Sequence, residues 1–420
     1  MIKNNIIALF ILLVFNSGCK KDNPTKLTIN EDQKEYLVRV EERIVLSPEV
    51  SSNNKELNYK WTINGHEVGS EKSFAFSPGK KDLGLTEIEL TLSEAGTVKE
   101  TLTYNVYALN TNKYKKIGYW PIYHANAQLP SDGQLKKLTH LVCSFLTVSA
   151  DGSITNDALL KLLPGVIQKA HSHGVYVMVA IGGGGNHPFG DCIMNETSRN
   201  KLIANILSVA KTYHIDGVDI DFEAWEGGTA SLTDPLKKEG LLILLKEIRA
   251  GLNENQILAM PFGTSEYYMH NYTVEMYQYL DWVGLMLYDY RGTWPESPYG
   301  QHSSLDDFKK YITIWKNEKS LPNNKLVAGI PFYGYKFAKE EVGGIAEGIA
   351  YKDIIGQEAN AYSVDNVGTI FYNGQATISQ KAQYVKENDL QGILIWEIMH
   401  DLDAANEKSL LKSVNDILID

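Results

Sequence analysis

The chain has 420 residues, 44% hydrophobic and 22% charged, with a formal net charge of −11. That is enough apolar material for two or three domains, or for one large barrel with an extra module. The acidic balance argues against a nucleic-acid partner and against a polybasic membrane-surface protein. At the start, Lys3 precedes the apolar run Ile6 to Phe15, which gives way to NSGCKKD. A run that short suits the core of an export signal and falls well below the roughly 20 residues that span a bilayer.

Cys19, after Ser17-Gly18, resembles the lipobox cysteine of bacterial lipoproteins, which becomes a lipidated N-terminus after cleavage. The expectation is a signal over residues 1–18 and a tether over 19–26, giving an exported chain anchored by lipid at a bacterial cell surface or in the periplasm. Asn16 stands where the lipobox usually has Leu, so an ordinary cleaved signal with free secretion is the alternative. Residues 27–110 read as short strands divided by turns: YLVRVEERIVL, LNYKWTING, KSFAFSPG, TEIELTL and TLTYNVYA. Such spacing predicts a small antiparallel sandwich. Trp61, before the turn Asn64-Gly65, resembles the core Trp of immunoglobulin-like and PKD-like modules, and this part is expected to act as a spacer.

Over residues 111–420 apolar strands alternate with amphipathic helical stretches. The strand candidates are KKIGYW, THLVCSFLTV, GVYVMVAIGG, IDGVDIDFE, QILAMPFG, DWVGLMLYD, KLVAGIPFYG and LQGILIWE. Helices are predicted at Asp157 to His171, Ser198 to Tyr213, Leu236 to Leu252, Leu305 to Glu318, Thr377 to Glu387 and Ala404 to Ile419. This alternation is that of a (β/α)8 TIM barrel, preceded here by the small all-β immunoglobulin-like sandwich. A doubly wound sheet would place a Gly-rich dinucleotide turn after its first strand, and GYWPIY has none.

The fourth strand carries DGVDIDFE, in which Asp219, Asp221 and Glu223 recur at every second residue. Side chains alternate along a strand, so all three emerge on one face about 6–7 Å apart, with Val218, Ile220 and Phe222 on the other. Like charges so close cannot all ionise cheaply in a partly buried setting, which points to proton chemistry; a cation site is the competing reading. Asp216 has the opposite parity and is expected only to shape the start of the strand. Barrel active sites form at the carboxyl ends of the strands. Those ends bring Tyr119, Phe145, Gly183, Met286, Tyr288, Asp289, Tyr333 and Trp396 around the acids, and an aromatic ring about carboxylates suits a sugar. Cys143 and Cys192 make no disulfide framework, no ligand spacing marks a metal, no cofactor motif appears, and His171-Ser172-His173 reads as a solvated helix end.

DGVDIDFE matches the DxxDxDxE signature of family 18 glycoside hydrolases, the chitinases and endo-β-N-acetylglucosaminidases. AIGGG resembles the family's SxGG, MLYD its MxYD, and ILIWE its subsite-Trp strand. The resemblance implies substrate-assisted hydrolysis: Glu223 as general acid, Asp221 orienting the sugar's acetamido group, Asp219 sharing a proton with Asp221, and Tyr288 holding the acetamido oxygen beside Asp289. It implies Trp396 as the floor of the cleft, which the strand-end residues Tyr119, Phe145, Gly183 and Met286 are expected to line. After Glu223 the chain has Ala-Trp where many chitinases have Tyr-Pro, a departure in which Trp225 is the expected platform for the leaving group. Ala180 replaces the usual Ser, leaving Asp219 to rest on Tyr119. The stretch between the seventh and eighth strands reads as too short for the α+β insertion of processive chitinases, so a shallow, open groove is expected.

Three functions follow. The first is cleavage of β-1,4 bonds after N-acetylglucosamine in chitin or chito-oligosaccharides. The second is release of N-glycans at their di-N-acetylchitobiose core. The third is a non-catalytic glycan-binding barrel, which the presence of Glu223 disfavours. The partner in each case is an N-acetylglucosamine-containing polysaccharide or glycan, with the membrane met only through the lipid anchor.

Overall fold

The computed structural model describes residues 27–52, 56–122, 128–225, 235–339, 345–358 and 360–419. Cys19 and the apolar run before it lie outside the described residues. Among those described, no helix is long and apolar enough to cross a membrane. The chain divides into two compact units.

The first unit takes the described residues up to Lys34, Val45–Phe76 and Glu87–Tyr104. At its centre Leu57–Ile63 pairs antiparallel with Ile88–Glu94, and through a hairpin with His66–Gly69. Asn64 (φ 51°) and Gly65 (φ 77°) both take the left-handed backbone that a two-residue hairpin turn requires. Trp61 is fully buried, stacks on Phe74 and Tyr104, and donates its indole N–H to the Glu71 carbonyl at 2.8 Å.

The second unit takes Glu35–Ile44, Ser77–Thr86 and residues from Asn105 onward. Within it Glu35–Arg39 runs parallel to Asn105–Leu109, so the strands before the barrel are not purely antiparallel as expected. Alternation reports a strand's faces and not its direction, which explains the difference. Eight parallel strands follow: β1 (Lys115–Pro121), β2 (His140–Val148), β3 (Tyr176–Gly182), β4 (Gly217–Asp221), β5 (Ile257–Gly263), β6 (Trp282–Met286), β7 (Leu326–Pro331) and β8 (Gly392–Trp396). Neighbours pair in sequence order, and β1 pairs with both β2 and β8, closing the barrel. The main helices are α1 (Asp157–His171), α2 (Glu196–Tyr213), α3 (Pro235–Gly251), α4 (Leu305–Asn317), α5 (Gln375–Glu387) and α6 (Leu410–Ile417).

Alternation along each strand separates two cores. Val218, Ile220 and Phe222 join the large cluster between strands and helices. Ile117, Tyr119, Val142, Met178, Ala180, Val327 and Leu394 fill the barrel interior, the side on which the acidic row emerges.

Three expectations need correction. His171 is no solvated terminus: it is buried, with Nε2 2.8 Å from Asp216 Oδ2, and the same oxygen accepts the Val177 N–H at 2.6 Å. Asp216 thus ties α1 and β3 to the start of β4. The last helix begins at Leu410 and not near Ala404, because the Asp401 carboxylate gathers the Leu410 and Leu411 N–H groups and the Ser409 hydroxyl at that point. Finally, a compact α+β insertion does fit between β7 and β8. Tyr333–Phe337, Ala346–Ala350, Asn366–Val367 and Ile370–Phe371 form an antiparallel four-stranded sheet with the helix Tyr351–Gln357. Strands of two to five residues need far less chain than the sequence reading allowed.

Candidate active site

At the carboxyl ends of the strands lies a cavity of about 380 Å³. Tyr119, Phe145, Gly184, Asp221, Glu223, Pro261, Met286, Tyr288, Asp289 and Trp396 line it. A smaller recess of about 110 Å³ adjoins it around Thr264, Ser265 and Tyr268; Glu223, Met286, Tyr288 and Asp289 line both. Glu223 therefore faces both chambers. A separate cavity of about 310 Å³ around Lys115, His140 and Trp282 contains only Asp281 among carboxylates.

The acidic row is graded by depth. Asp219 is nearly fully buried and accepts the Tyr119 hydroxyl at 2.7 Å; beside it in the β3 register is Ala180, which offers no hydroxyl. Burial pushes Asp219 up to about 7, and the Tyr119 hydrogen bond pulls against that rise. Asp221, also buried, is held well above the ordinary carboxylate range by burial and then by the charges of Glu223 and Asp219. Its Oδ1 is buried without a hydrogen-bond partner. Glu223 is half-buried, two residues beyond the end of β4, and is pushed up to about 7, first by burial and then by the Asp289 charge.

Glycines allow the close approach behind this row. Gly182 (φ 109°) and Gly183 (φ 94°) pass against the end of β4, where the Gly183 N–H donates to the Asp221 carbonyl at 2.9 Å. A Cβ on Gly182 would sit 2.3 Å from that carbonyl oxygen. Gly183, expected in the lining, is packed against the Phe145 ring; Gly184 lines the cavity in its place. Trp396 stacks on Phe145 with centroids 5.6 Å apart and meets Tyr119 edge-on at 5.7 Å, so these three rings form one continuous surface.

Trp225 is not in the cleft. It is 1% exposed, packs edge-to-face on Phe222 and Tyr272, and donates its indole N–H to the Tyr272 hydroxyl at 3.1 Å. The strand ends at Asp221, so the alternation that would have aimed Trp225 with the acids is lost in the turn holding Ala224 and Trp225.

Asp289 is anchored by residues that local sequence signals did not single out. Its Oδ1 accepts the Tyr333 hydroxyl at 2.5 Å and the Tyr335 hydroxyl at 3.1 Å, and His302 Nδ1 lies 3.3 Å away. From sequence, Tyr333 belongs only to the aromatic ring at the strand ends. The readable hint for Tyr335 was its two-residue spacing from Tyr333; His302 carries no local signal. Among the described residues, no group of three His, Cys, Asp or Glu side chains is arranged to hold a metal ion.

A closed parallel barrel whose strand ends present a graded carboxylate row under an aromatic surface is the arrangement of a glycoside-hydrolase barrel. Residues 115–401 match the glycosyl hydrolases family 18, and residues 24–91 match the PKD-like domain. The chain belongs to glycosyl hydrolases family 18. It is 27% identical to "Probable chitinase 10" of Drosophila melanogaster over 70% of its own length, and 25% identical to "Chitinase 1" of Aphanocladium album over 73%. The matched part spans 15% of the first relative and 84% of the second; for "Probable chitinase 2" of Drosophila melanogaster it spans 58%. Among solved structures, a chitinase from Bacteroides thetaiotaomicron superposes with a TM-score of 0.64 at 29% identity, covering 73% of this chain and 96% of that one. The GH18 chitinase ChiB from the chitin utilization locus of Flavobacterium johnsoniae gives 0.59 at 25% identity, covering 73% and 94%.

Proposed function

We propose that the protein hydrolyses β-1,4 bonds after N-acetylglucosamine in chitin or chito-oligosaccharides, with net retention and with the substrate's own acetamido group as nucleophile. The observation that carries this reading is the buried, unpartnered Oδ1 of Asp221 next to Glu223. A buried acceptor left without a donor is costly, and an acetamido N–H entering the cavity would relieve it. That bond would turn the acetamido carbonyl toward C1, and Asp221, by passing its shared proton to Asp219, would offset the positive charge that develops as the carbonyl attacks. Glu223, protonated up to about pH 7, gives its proton to the departing glycosidic oxygen. The carboxylate left behind then takes a proton from the water that opens the oxazolinium ion, which restores the acid and the configuration at C1.

The remaining roles are those the family resemblance implies. Tyr288 binds the acetamido oxygen, Asp289 adds a second polar contact beside it, and Trp396 with Phe145 and Tyr119 supplies the stacking surface. In support of the substrate class, solved family 18 relatives from Cycas revoluta are complexes with (GlcNAc)3. We also propose that Cys19 anchors the exported protein by lipid. The test is incubation with chitotetraose and, separately, with a high-mannose glycoprotein, the products being weighed by mass spectrometry. Shortened chito-oligomers are expected from the first, and Glu223→Gln should reduce their formation by about 10²–10⁴-fold. Glycan release with chitotetraose left intact would replace this reading by cleavage at the chitobiose core.

A further inference from the structure

On α5, Lys381 is fully buried and lines neither chamber of the cleft. Its Nζ lies 2.7 Å from each of three atoms: Ser303 O, Ser303 Oγ and Asn373 Oδ1. The protons at this centre can be counted. The single Ser303 hydroxyl proton goes to the Leu287 carbonyl, which can only accept, at 2.6 Å. Asn373 turns its NH₂ toward the Ser303 and Tyr372 carbonyls, so its Oδ1 is the atom that meets Nζ. All three neighbours of Nζ are thus acceptors, and the amine must donate three protons as an ammonium ion. The Phe308 ring, with its centroid 5.2 Å from Nζ, and the Asp365 and Asp307 charges favour that form, while burial pushes the group down to about 7.

Ser303 is consequently fixed at its carbonyl and at its hydroxyl. Through the hydroxyl it holds Leu287, the residue before Tyr288. Through the chain it carries His302, which is fully buried with Nε2 3.2 Å from the Tyr333 carbonyl and Nδ1 beside Asp289. Strand β6 ends at Met286, so Leu287, Tyr288 and Asp289 have no ladder to hold them, and Asp289 takes a left-handed backbone at φ 59°. A segment outside the sheet depends on such external anchors.

We propose that Lys381 is a positioning residue which, acting through Ser303, aims Tyr288 and Asp289 into the cleft. The proposal rests on the functional reading above, in which those two side chains bind the N-acetyl sugar. Its test compares the full chain with Lys381→Met, Ser303→Ala and the double variant, measuring kcat and KM on chitotetraose and hydrogen exchange over residues 283–303. Lys381→Met is expected to reduce kcat by about 10–100-fold, with a much smaller change in KM, as displaced reacting groups do. Ser303→Ala should cost roughly 3–10-fold, and the double variant no more than Lys381→Met alone, because both cut the same connection. Exchange should accelerate over residues 283–303 while peptides from β3 keep their protection. Parental kcat in a folded Lys381→Met protein, or losses that multiply in the double variant, would overturn the proposal. Should Lys381→Met fail to fold, Ser303→Ala, Asn373→Ala and their double complete the same cycle. A parent inactive on chitotetraose sinks the functional reading alone, since the exchange comparison still decides whether Lys381 holds the segment.

Discussion

The Tyr333 hydroxyl donates to Asp289 Oδ1 across 2.5 Å, tying the insertion after β7 to the segment that leaves β6. Tyr335 and His302 converge on the same oxygen, so Asp289 is held beside Glu223 as a fixed neighbour. Its charge is the second cause, after burial, of the elevated Glu223 proton affinity.

Activity should therefore fall as pH rises through about 7, where Glu223 loses the proton it must donate. Asp289→Asn removes a negative charge and should move that descending limb to lower pH, since an ionised Glu223 would no longer face a like charge. The measurement is kcat/KM on chitotetraose from pH 4 to 9, which reports the free enzyme. A limb that stays in place would show that Asp289 does not act on the acid.

The same elevation bears on stability. A Glu223 raised from 4.5 to about 7 binds its proton more tightly in the native state than in the unfolded chain. Native protein then holds more protons than unfolded protein between those values, so stability declines as pH rises through this window. Asp219 contributes with the same sign. Glu223→Gln cannot ionise and escapes its share of the loss. Thermal melts should superpose for parent and variant near pH 4 and separate at pH 8, with the variant melting several degrees higher. Equal melting temperatures at both pH values would mean that the native proton affinity is ordinary.

How much of this was legible in the sequence depends on how far apart the partners lie along the chain. The acidic row and its apolar counter-face are period-two features of five or six consecutive residues; the strand presents them as far as Asp221, and Phe222 and Glu223 keep the same sides just beyond its end. Barrel strands announce themselves the same way, as apolar runs between helical periods. By contrast, Tyr335 reaches Asp289 over 46 residues, His302 over 13, and Lys381 reaches Ser303 over 78. No local pattern specifies such pairs; they exist only once the barrel brings the carboxyl ends of its strands together. Trp225 shows the opposite failure. Its parity is that of the acids, but the strand on which parity has meaning stops at Asp221.

That correction makes its own prediction. A leaving-group platform would lose substrate affinity when truncated and leave the fold intact, whereas a core residue does the reverse. Trp225 is enclosed by Phe222 and Tyr272, and the Tyr272 hydroxyl that receives its indole N–H also accepts the Gly263 N–H at 3.0 Å. Truncation would open a void and break one arm of this junction between the end of β4 and the end of β5. Trp225→Ala should accordingly cost about 3–5 kcal/mol of stability, and Trp225→Phe less, because a smaller cavity remains. For the Phe variant, KM on chito-oligosaccharides should stay within about twofold of the parent while urea unfolding shifts to lower concentration. A normal unfolding midpoint combined with a KM raised tenfold or more would return Trp225 to the cleft.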